Sequence, residues 1–574
     1  MAFPQLTRPL IRERNWSLLV DLVVFAVILA GIYAVLATVR YWMGVVTPAA
    51  HISRSPLALP LYAFYSLVRM AVAYVLSLGF ALGYGYIAAH NRRVEMVMIA
   101  VLDILQSIPV LSFLPGVMLS MVALFPTRQL GVELGSIVLI FTGQVWNMAF
   151  SFYSSLKSIP RELREAALIN HFSTAQRFFE LELPFGAIGL VWNSIVSVAG
   201  GWFFLMACEM FQLGNHDFRL PGLGSYLQTA ASNGDTAGIL WGLTAMIAVI
   251  VLLDQLVWRP AIAWSEKFKM EQVEGSSEVT SPILELLRSS QVSRWIEKRA
   301  MRPLRERLTT SPPHAAAGGG ARERHRGRIV GFAVLLALAI AVPYLLVKAA
   351  LLLKGLASAE LLSTLMAAGA SFGRVAASLI ISSLWAIPAG VAIGFSPRLA
   401  KVAQPLAQIA ASVPATALFP VVLLGLVSLG GGLGAGSIIL MLLGTQWYVL
   451  FNVIAGAMAI PTELREAASV FRFGRWQRWR TLILPGIFPY LVTGLVTASG
   501  GAWNASIVAE YFHFKGKVMT TLGLGAQISS ATDSGNSELL LLSTIVMAML
   551  VVSVNRTVWR PLYRLAESRF RLDA

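Results

Sequence analysis

Charge is scarce in this sequence and cysteine almost absent. Of its 574 residues only 13% are Asp, Glu, Lys or Arg, against roughly a quarter in soluble chains. Hydrophobic residues make up 56% and mean hydropathy is +0.69, which excludes an ordinary soluble protein. Cys208 is the single cysteine, so an internal disulfide and a cysteine-based metal cage are both excluded. It lies in an apolar segment and reads as a small packing residue. The 7 histidines show no metal-ligand spacing. No Gly-x-x-x-x-Gly-Lys-Ser/Thr loop is present, and Gly430-Gly431-Gly432-Leu433-Gly434 lacks the lysine that holds phosphates. Alternating apolar and polar strands, the mark of an outer-membrane barrel, are missing. With no metal set, phosphate loop or polar catalytic cluster, the chain reads as a non-enzyme that binds no cofactor of its own.

What is present is a series of long apolar runs. They fall near 17–39, 60–89, 97–124, 133–156, 184–211 and 237–257, then near 329–353, 364–395, 402–428, 436–458, 485–510 and 538–558. Runs of about 20 residues cross a hydrocarbon core of roughly 30 Å as helices. The expected fold is all-α, a polytopic membrane protein of about 12 spans in two parallel six-helix repeats. The formal charge of +16 then reflects Lys and Arg retained on the cytoplasmic side rather than nucleic-acid binding. Most of the basic residues fall inside if both termini are cytoplasmic. The expected divisions are a cytoplasmic N-terminal segment (1–16), a first module (17–261), a cytoplasmic linker (262–327) and a second module (328–574). The first run, preceded by Arg8, Arg12 and Arg14, reads as a retained span rather than a removed signal peptide.

The halves are copies. Ser66-Leu67-Val68-Arg69 matches Ser371-Phe372-Gly373-Arg374 at an offset of 305 residues, and from Gly143/Gly444 onward the offset is 301. At 301, Trp202 meets Trp503, Glu209 meets Glu510, and Gly222-Leu223-Gly224 meets Gly523-Leu524-Gly525. A charged island interrupts each half: Ile159-Pro160-Arg161-Glu162-Leu163-Arg164-Glu165-Ala166-Ala167, and Ile460-Pro461-Thr462-Glu463-Leu464-Arg465-Glu466-Ala467-Ala468. Over Ser158–Pro184 and its copy, 14 of 27 positions are identical. A solvated loop has little reason to be repeated so closely. Proline suits a first helical turn, and the glutamates after it interact favourably with the helix dipole. The expectation is a short helix across the cytoplasmic ends of the fourth and fifth spans.

Glu165-Ala166-Ala167 with Leu181-x-Leu183-Pro184, and Glu466-Ala467-Ala468 with Leu482-x-Leu484-Pro485, resemble the EAA loop of permease subunits of binding-protein-dependent ABC importers. The resemblance covers about 66–260 and 371–561. It implies a fused double permease in the inner (plasma) membrane, served by two ATP-binding subunits and an extracytoplasmic substrate-binding protein, with ATP and magnesium in the partner. By resemblance the docking residues are Glu162, Arg164, Glu165, Ala166, Ala167 and His171, with Glu463, Arg465, Glu466, Ala467, Ala468 and Arg472 in the copy. His171 and Arg472 stand where the family carries glycine, so Asn170 or Gly474 is expected to supply the special backbone. The Trp, Ala-Glu and Gly-Leu-Gly pattern looks like the nitrate/taurine/alkanesulfonate subfamily and implies a small anionic solute, although Cys208 replaces the first copy's alanine.

Arg69, Gly200, Trp202 and Glu209, with Arg374, Gly501, Trp503 and Glu510, are the candidates for a pathway or gate. Ionisable groups at membrane depth are costly and often functional. Glu209 and Glu510 are expected to pair with a basic group such as Arg69 or Arg374, to form a gate, or to anchor at the interface. The glycines fit close helix packing better than a pathway lining. A secondary transporter with six-plus-six parallel repeats is the alternative, but it does not predict the paired islands.

Overall fold

The computed structural model describes residues 52–213, 216–268, 358–514 and 517–569, together with a few scattered positions. The apolar run 17–39, most of 329–353 and nearly all of the linker lie outside the described residues. The first half contains α1 (Pro56–His90), α2 (Arg92–Ser107), α3 (Leu114–Leu124), α4 (Leu130–Ser158), α5 (Arg161–Ile169) and α6 (Thr174–Glu209). A hairpin, β1 (Gln212–Leu213) and β2 (His216–Asp217), then leads to α7 (Leu223–Ser232) and α8 (Thr236–Ser265). The second half repeats this order: α9 (Ser358–Phe395), α10 (Pro397–Ser412), α11 (Ala415–Ser428), α12 (Leu433–Ala459), α13 (Thr462–Val470) and α14 (Arg475–Ala509). Its hairpin is β3 (Tyr511–Phe514) and β4 (Lys517–Thr520), followed by α15 (Leu524–Ser534) and α16 (Ser537–Ala566). Among the described residues, 8 helices are long and apolar enough to cross a membrane. These are α1, α4, α6, α8, α9, α12, α14 and α16.

The expected spans 97–124 and 402–428 are not continuous helices. The first is α2, a 3₁₀ turn at Val110–Phe113 and then α3, and the second is α10 followed by α11. Proline causes both breaks. Pro109 and Pro414 bring no N–H, and proline drives the residue before it out of the helical region, as seen at Val413 (φ −75°, ψ 118°). The spans expected at 184–211 and 485–510 begin earlier, because α6 and α14 run back through π-helical turns at Arg177–Glu182 and Trp479–Ile483. Such turns absorb one extra residue without ending the helix.

Small side chains set how closely the long helices approach. Ala73, Ser77, Ala81, Gly85 and Ala88 form the buried face of α1, which packs on α4. A Cβ on Gly85 would lie 2.9 Å from Phe152 Cδ1 and 3.1 Å from the Tyr153 backbone. The crossing of α9 and α12 repeats this, with Gly390 against Val453. Where lipid removes the hydrophobic drive between helices, this backbone approach supplies the dispersion contact that holds them.

The halves grip each other reciprocally. The 3₁₀ turn of the first half packs on α14 and α16, and α11 of the second packs on α6, α7 and α8. Leu111 N–H donates to Asn504 Oδ1 (3.3 Å) and Thr544 Oγ1 donates to Ser112 O (3.2 Å) across this contact.

Candidate functional site

Each island folds as one short helix joined to the next span by a tight reversal. In α5, Leu163 and Ala167 face inward one turn apart, while Glu162, Arg164, Glu165 and Ala166 are exposed. Arg164 reaches back to donate to the Leu156 carbonyl (2.7 Å), fastening α5 to the end of α4. In α13, Ala468 is buried, Ala467 and Arg465 are half-buried, and Glu463 and Glu466 are exposed. Here Arg465 stands over the Phe395 ring (5.2 Å) instead of finding a carbonyl. Large apolar side chains also point away from the protein at both islands: Leu168 and Ile169 on one, Val470, Phe471 and Trp476 on the other.

The reversal corrects one expectation. Asn170 (φ −80°) and Gly474 (φ −61°) have ordinary backbones, whereas His171 (φ 52°) and Arg472 (φ 51°) are left-handed themselves. The hydrogen bonds explain why. Phe172 N–H donates to Ala167 O and His171 N–H to Leu168 O, a pairing that terminates a helix only through a left-handed residue. Phe473 and Arg472 repeat it onto Ala468 and Ser469. The turn keeps a glycine's shape without glycine. His171→Gly trades about 1–2 kcal/mol of left-handed strain against about 0.4–1 kcal/mol of unfolded-chain entropy. The expected result is amide exchange over Ala166–Phe172 slowed by about two- to fivefold, with the same effect from Arg472→Gly around Ala468.

At the opposite end of α6 and α14, the expected Arg–Glu pairing is found. Arg69 Nε and Nη2 hold both oxygens of Glu133 (2.6 and 2.8 Å), and Nη1 donates to Glu209 Oε1 (2.8 Å) and to Pro221 O (2.9 Å). All three side chains are buried. Glu209 also receives Ser66 Oγ (2.6 Å) and the Gly224 N–H (2.7 Å), so it caps the start of α7 while tying α1 to α6. In the copy, Glu510 receives Ser371 Oγ (2.7 Å), Arg374 Nη1 (3.1 Å) and the Gly525 N–H (2.9 Å). The Gly-Leu-Gly motif follows directly. A Cβ on Gly222 would lie 2.2 Å from the Glu209 carboxyl carbon, and one on Gly523 2.1 Å from Glu510 Oε2.

The two clamps differ in one partner. Gly434 occupies the position of Glu133 in the copy, and Thr521 Oγ1 accepts from Arg374 Nη2 (2.8 Å) instead. Arg374 has one carboxylate where Arg69 has two, and its side chain is 14% exposed against 1%. Sequence reasoning missed Glu133 and Thr521 because neither is duplicated. The serine at three residues before each arginine was visible as a repeat, though its bond to the glutamate was not.

The remaining candidates spread apart. A Cβ at Gly200 would meet nothing within 4 Å, and one at Gly501 only ordinary contacts with Tyr448 and Thr445. The close-packing glycine is Gly201, against Gln144 and Met70. Trp202 is buried in the first half. Trp503 lines an apolar groove of about 650 Å³ within the second half, beside Phe372, Trp479 and Trp559.

A smaller cavity, about 140 Å³, lies between the halves at the clamp end. Leu111, Leu114, Met210, Phe211 and Gln228 come from one half, and Tyr511, Phe512, His513, Ser529 and Asp533 are among those from the other. Tyr511 Oη donates to Asp533 Oδ2 (2.5 Å), and His513 Nε2 lies 3.1 Å from the same oxygen. Burial, and then the bond to Asp533, push the Tyr511 hydroxyl above its ordinary value, so it remains a donor.

Duplicated islands, duplicated clamps and an inter-half cavity coincide with two matches to one family model, at residues 78–257 and 386–571. Its description is "Binding-protein-dependent transport system inner membrane component". The chain belongs to this family. As a member of the inner membrane component family it is a multi-pass helical protein in which the module occurs twice, and the secondary-transporter alternative is set aside. The nitrate import permease protein NrtB of Leptolyngbya laminosa is 26% identical over 189 residues, which is 33% of this chain and 64% of that protein. The taurine transport system permease protein TauC of Escherichia coli (strain K12) is 28% identical over 182 residues, 32% of this chain and 62% of that one. The bicarbonate transport system permease protein CmpB of Synechocystis sp. (strain ATCC 27184 / PCC 6803 / Kazusa) is 30% identical over 141 residues, covering 25% and 49%. The chain thus spans less than two thirds of the length of each of these relatives.

Proposed function

We propose that this chain is the membrane-spanning subunit of an ATP-driven importer, supplying both halves of the translocation pathway for a small solute that bears an anionic group. The relatives named for nitrate, taurine and bicarbonate support the solute class. The observation that carries the coupling role is the pair of protruding islands, each a short helix held to a neighbouring span through its arginine and joined to the next span by a tight left-handed reversal. Two ATP-binding subunits, holding ATP and magnesium, dock on α5 and α13. Both islands lie on the cytoplasmic side with the two termini, in agreement with the distribution of Lys and Arg. An extracytoplasmic binding protein delivers solute to the opposite face. When the ATP-binding subunits close, they draw the islands together and rock the two halves between outward-open and inward-open states.

Docking predicts a covalent capture. Cys208 is buried, so a cysteine introduced at Leu168 or Val470 is the accessible thiol among the described residues. A short bifunctional maleimide should join each variant to an ATP-binding subunit carrying one engineered surface cysteine in its groove. Cross-linking that fails at both islands while the complex remains assembled removes the docking assignment.

A further inference from the structure

The inter-half cavity has a chemistry that fits poorly with a simple anion. Among the described residues lining it there is neither lysine nor arginine, and its carboxylate is Asp533. The hydrogen bonds from Tyr511 and His513 both land on Asp533 Oδ2. Gln228 turns its Nε2 to the His513 carbonyl (3.4 Å) and leaves Oε1 buried without a donor. Asp533 and Gln228 thus both line a space that is walled by the rings of Phe211, Tyr511 and Phe512. Oxygen acceptors beside an aromatic wall suit an ammonium or amidinium, which gains hydrogen bonds to oxygen and attraction to the ring faces, although Asp533 stays 32% exposed. An anion finds like charge there instead.

This polar cluster is present in one copy of the module and not in the other. The residues at the positions of Tyr511, His513 and Asp533 in the first half are Met210, Gln212 and Ser232. The serine, arginine and glutamate of the adjacent clamps are shared by both copies. Architecture shared by both modules does not require the triad, and it sits where both halves meet.

Resting on the importer reading above, we propose that the cavity between the halves is a solute subsite that selects a protonated amine, so that the cargo is a zwitterion carrying an ammonium group as well as its anionic group. Asp533 and Gln228 Oε1 hold the ammonium, and Tyr511 and His513 fix the carboxylate. Nitrate and bicarbonate have no group for this subsite. Taurine has one.

Three probes separate the amine from the anion: taurine, 2-hydroxyethanesulfonate, which replaces that amine by a hydroxyl, and ethanolamine, which keeps the amine and lacks the sulfonate. Binding to the full complex in nanodiscs is measured by calorimetry without ATP, so the result does not depend on coupling. Taurine and ethanolamine are expected to bind at least about tenfold more tightly than 2-hydroxyethanesulfonate, a difference of about 1.4 kcal/mol. Asp533→Asn should erase the preference and Asp533→Glu should retain it. Equal binding of the three, tighter binding of the amine-free anion, no binding of any, or a preference that survives Asp533→Asn each overturn the proposal. Variants carrying Glu165→Lys with Glu466→Lys lose transport but keep this preference, which distinguishes failure of the subsite from failure of the coupling reading.

Discussion

ATP-dependent uptake is expected to be abolished when Glu165 and Glu466 are both replaced by lysine, while the chain still inserts and accumulates. Both glutamates are exposed and carry no share of the core, so their replacement leaves each half folded. Under the proposed coupling role, the loss falls on the docking contacts alone. Removing a charged partner from a buried interfacial pair costs about 2–5 kcal/mol, and reversal adds repulsion to that. One weakened dock leaves the second island engaged. Two leave the ATPase pair without a lever. The single variants should therefore retain measurable transport, and the measurements are solute uptake by proteoliposomes together with membrane-inserted yield. Wild-type uptake by the double variant would sink the coupling assignment.

Replacing Arg69 by alanine should cost far more stability than the same change at Arg374. Without Arg69, Glu133 and Glu209 face each other in a site closed to water. Leaving a buried charge without its partner costs about 3–5 kcal/mol, a large share of the roughly 5–15 kcal/mol that stabilises a typical domain. At Arg374 one carboxylate remains, and Glu510 keeps its bonds from Ser371 and Gly525. The site is also partly open to solvent on the arginine side. The expected cost is about 1–3 kcal/mol, the scale of a lost hydrogen-bonded partner. Denaturant midpoints and steady-state amounts of the two variants should separate clearly. Equal losses would mean that Glu133 adds nothing to the first clamp.

Much of this architecture could be read from the duplication. Two copies aligned within one chain marked Glu209, Gly222, Gly224 and the islands, because each recurs where the second module needs the same geometry. The pairing of Glu209 with Arg69 was legible for a related reason: a carboxylate at membrane depth requires a counter-charge, and few arginines lie near that depth. Other features were hidden. Pro109 and Pro414 were seen as matched positions, but an apolar run does not reveal that it is divided. The left-handed turn was placed one residue away in the first half and two away in the second, since glycine preference is a weak guide when a helix end dictates the conformation.

By itself, the sequence determined that this is a helical membrane protein made of one module used twice, with a charged helix between two spans of each half. Those features depend on local composition and spacing, which a linear chain carries in full. Only the tertiary structure decided which charges share a clamp, that Thr521 replaces Glu133 as the second partner of the arginine, and that Gln228 and Asp533 face one cavity. Those residues are brought together by helices crossing at positions far apart in the chain, and the crossings are set by small buried side chains such as Gly85 and Gly390.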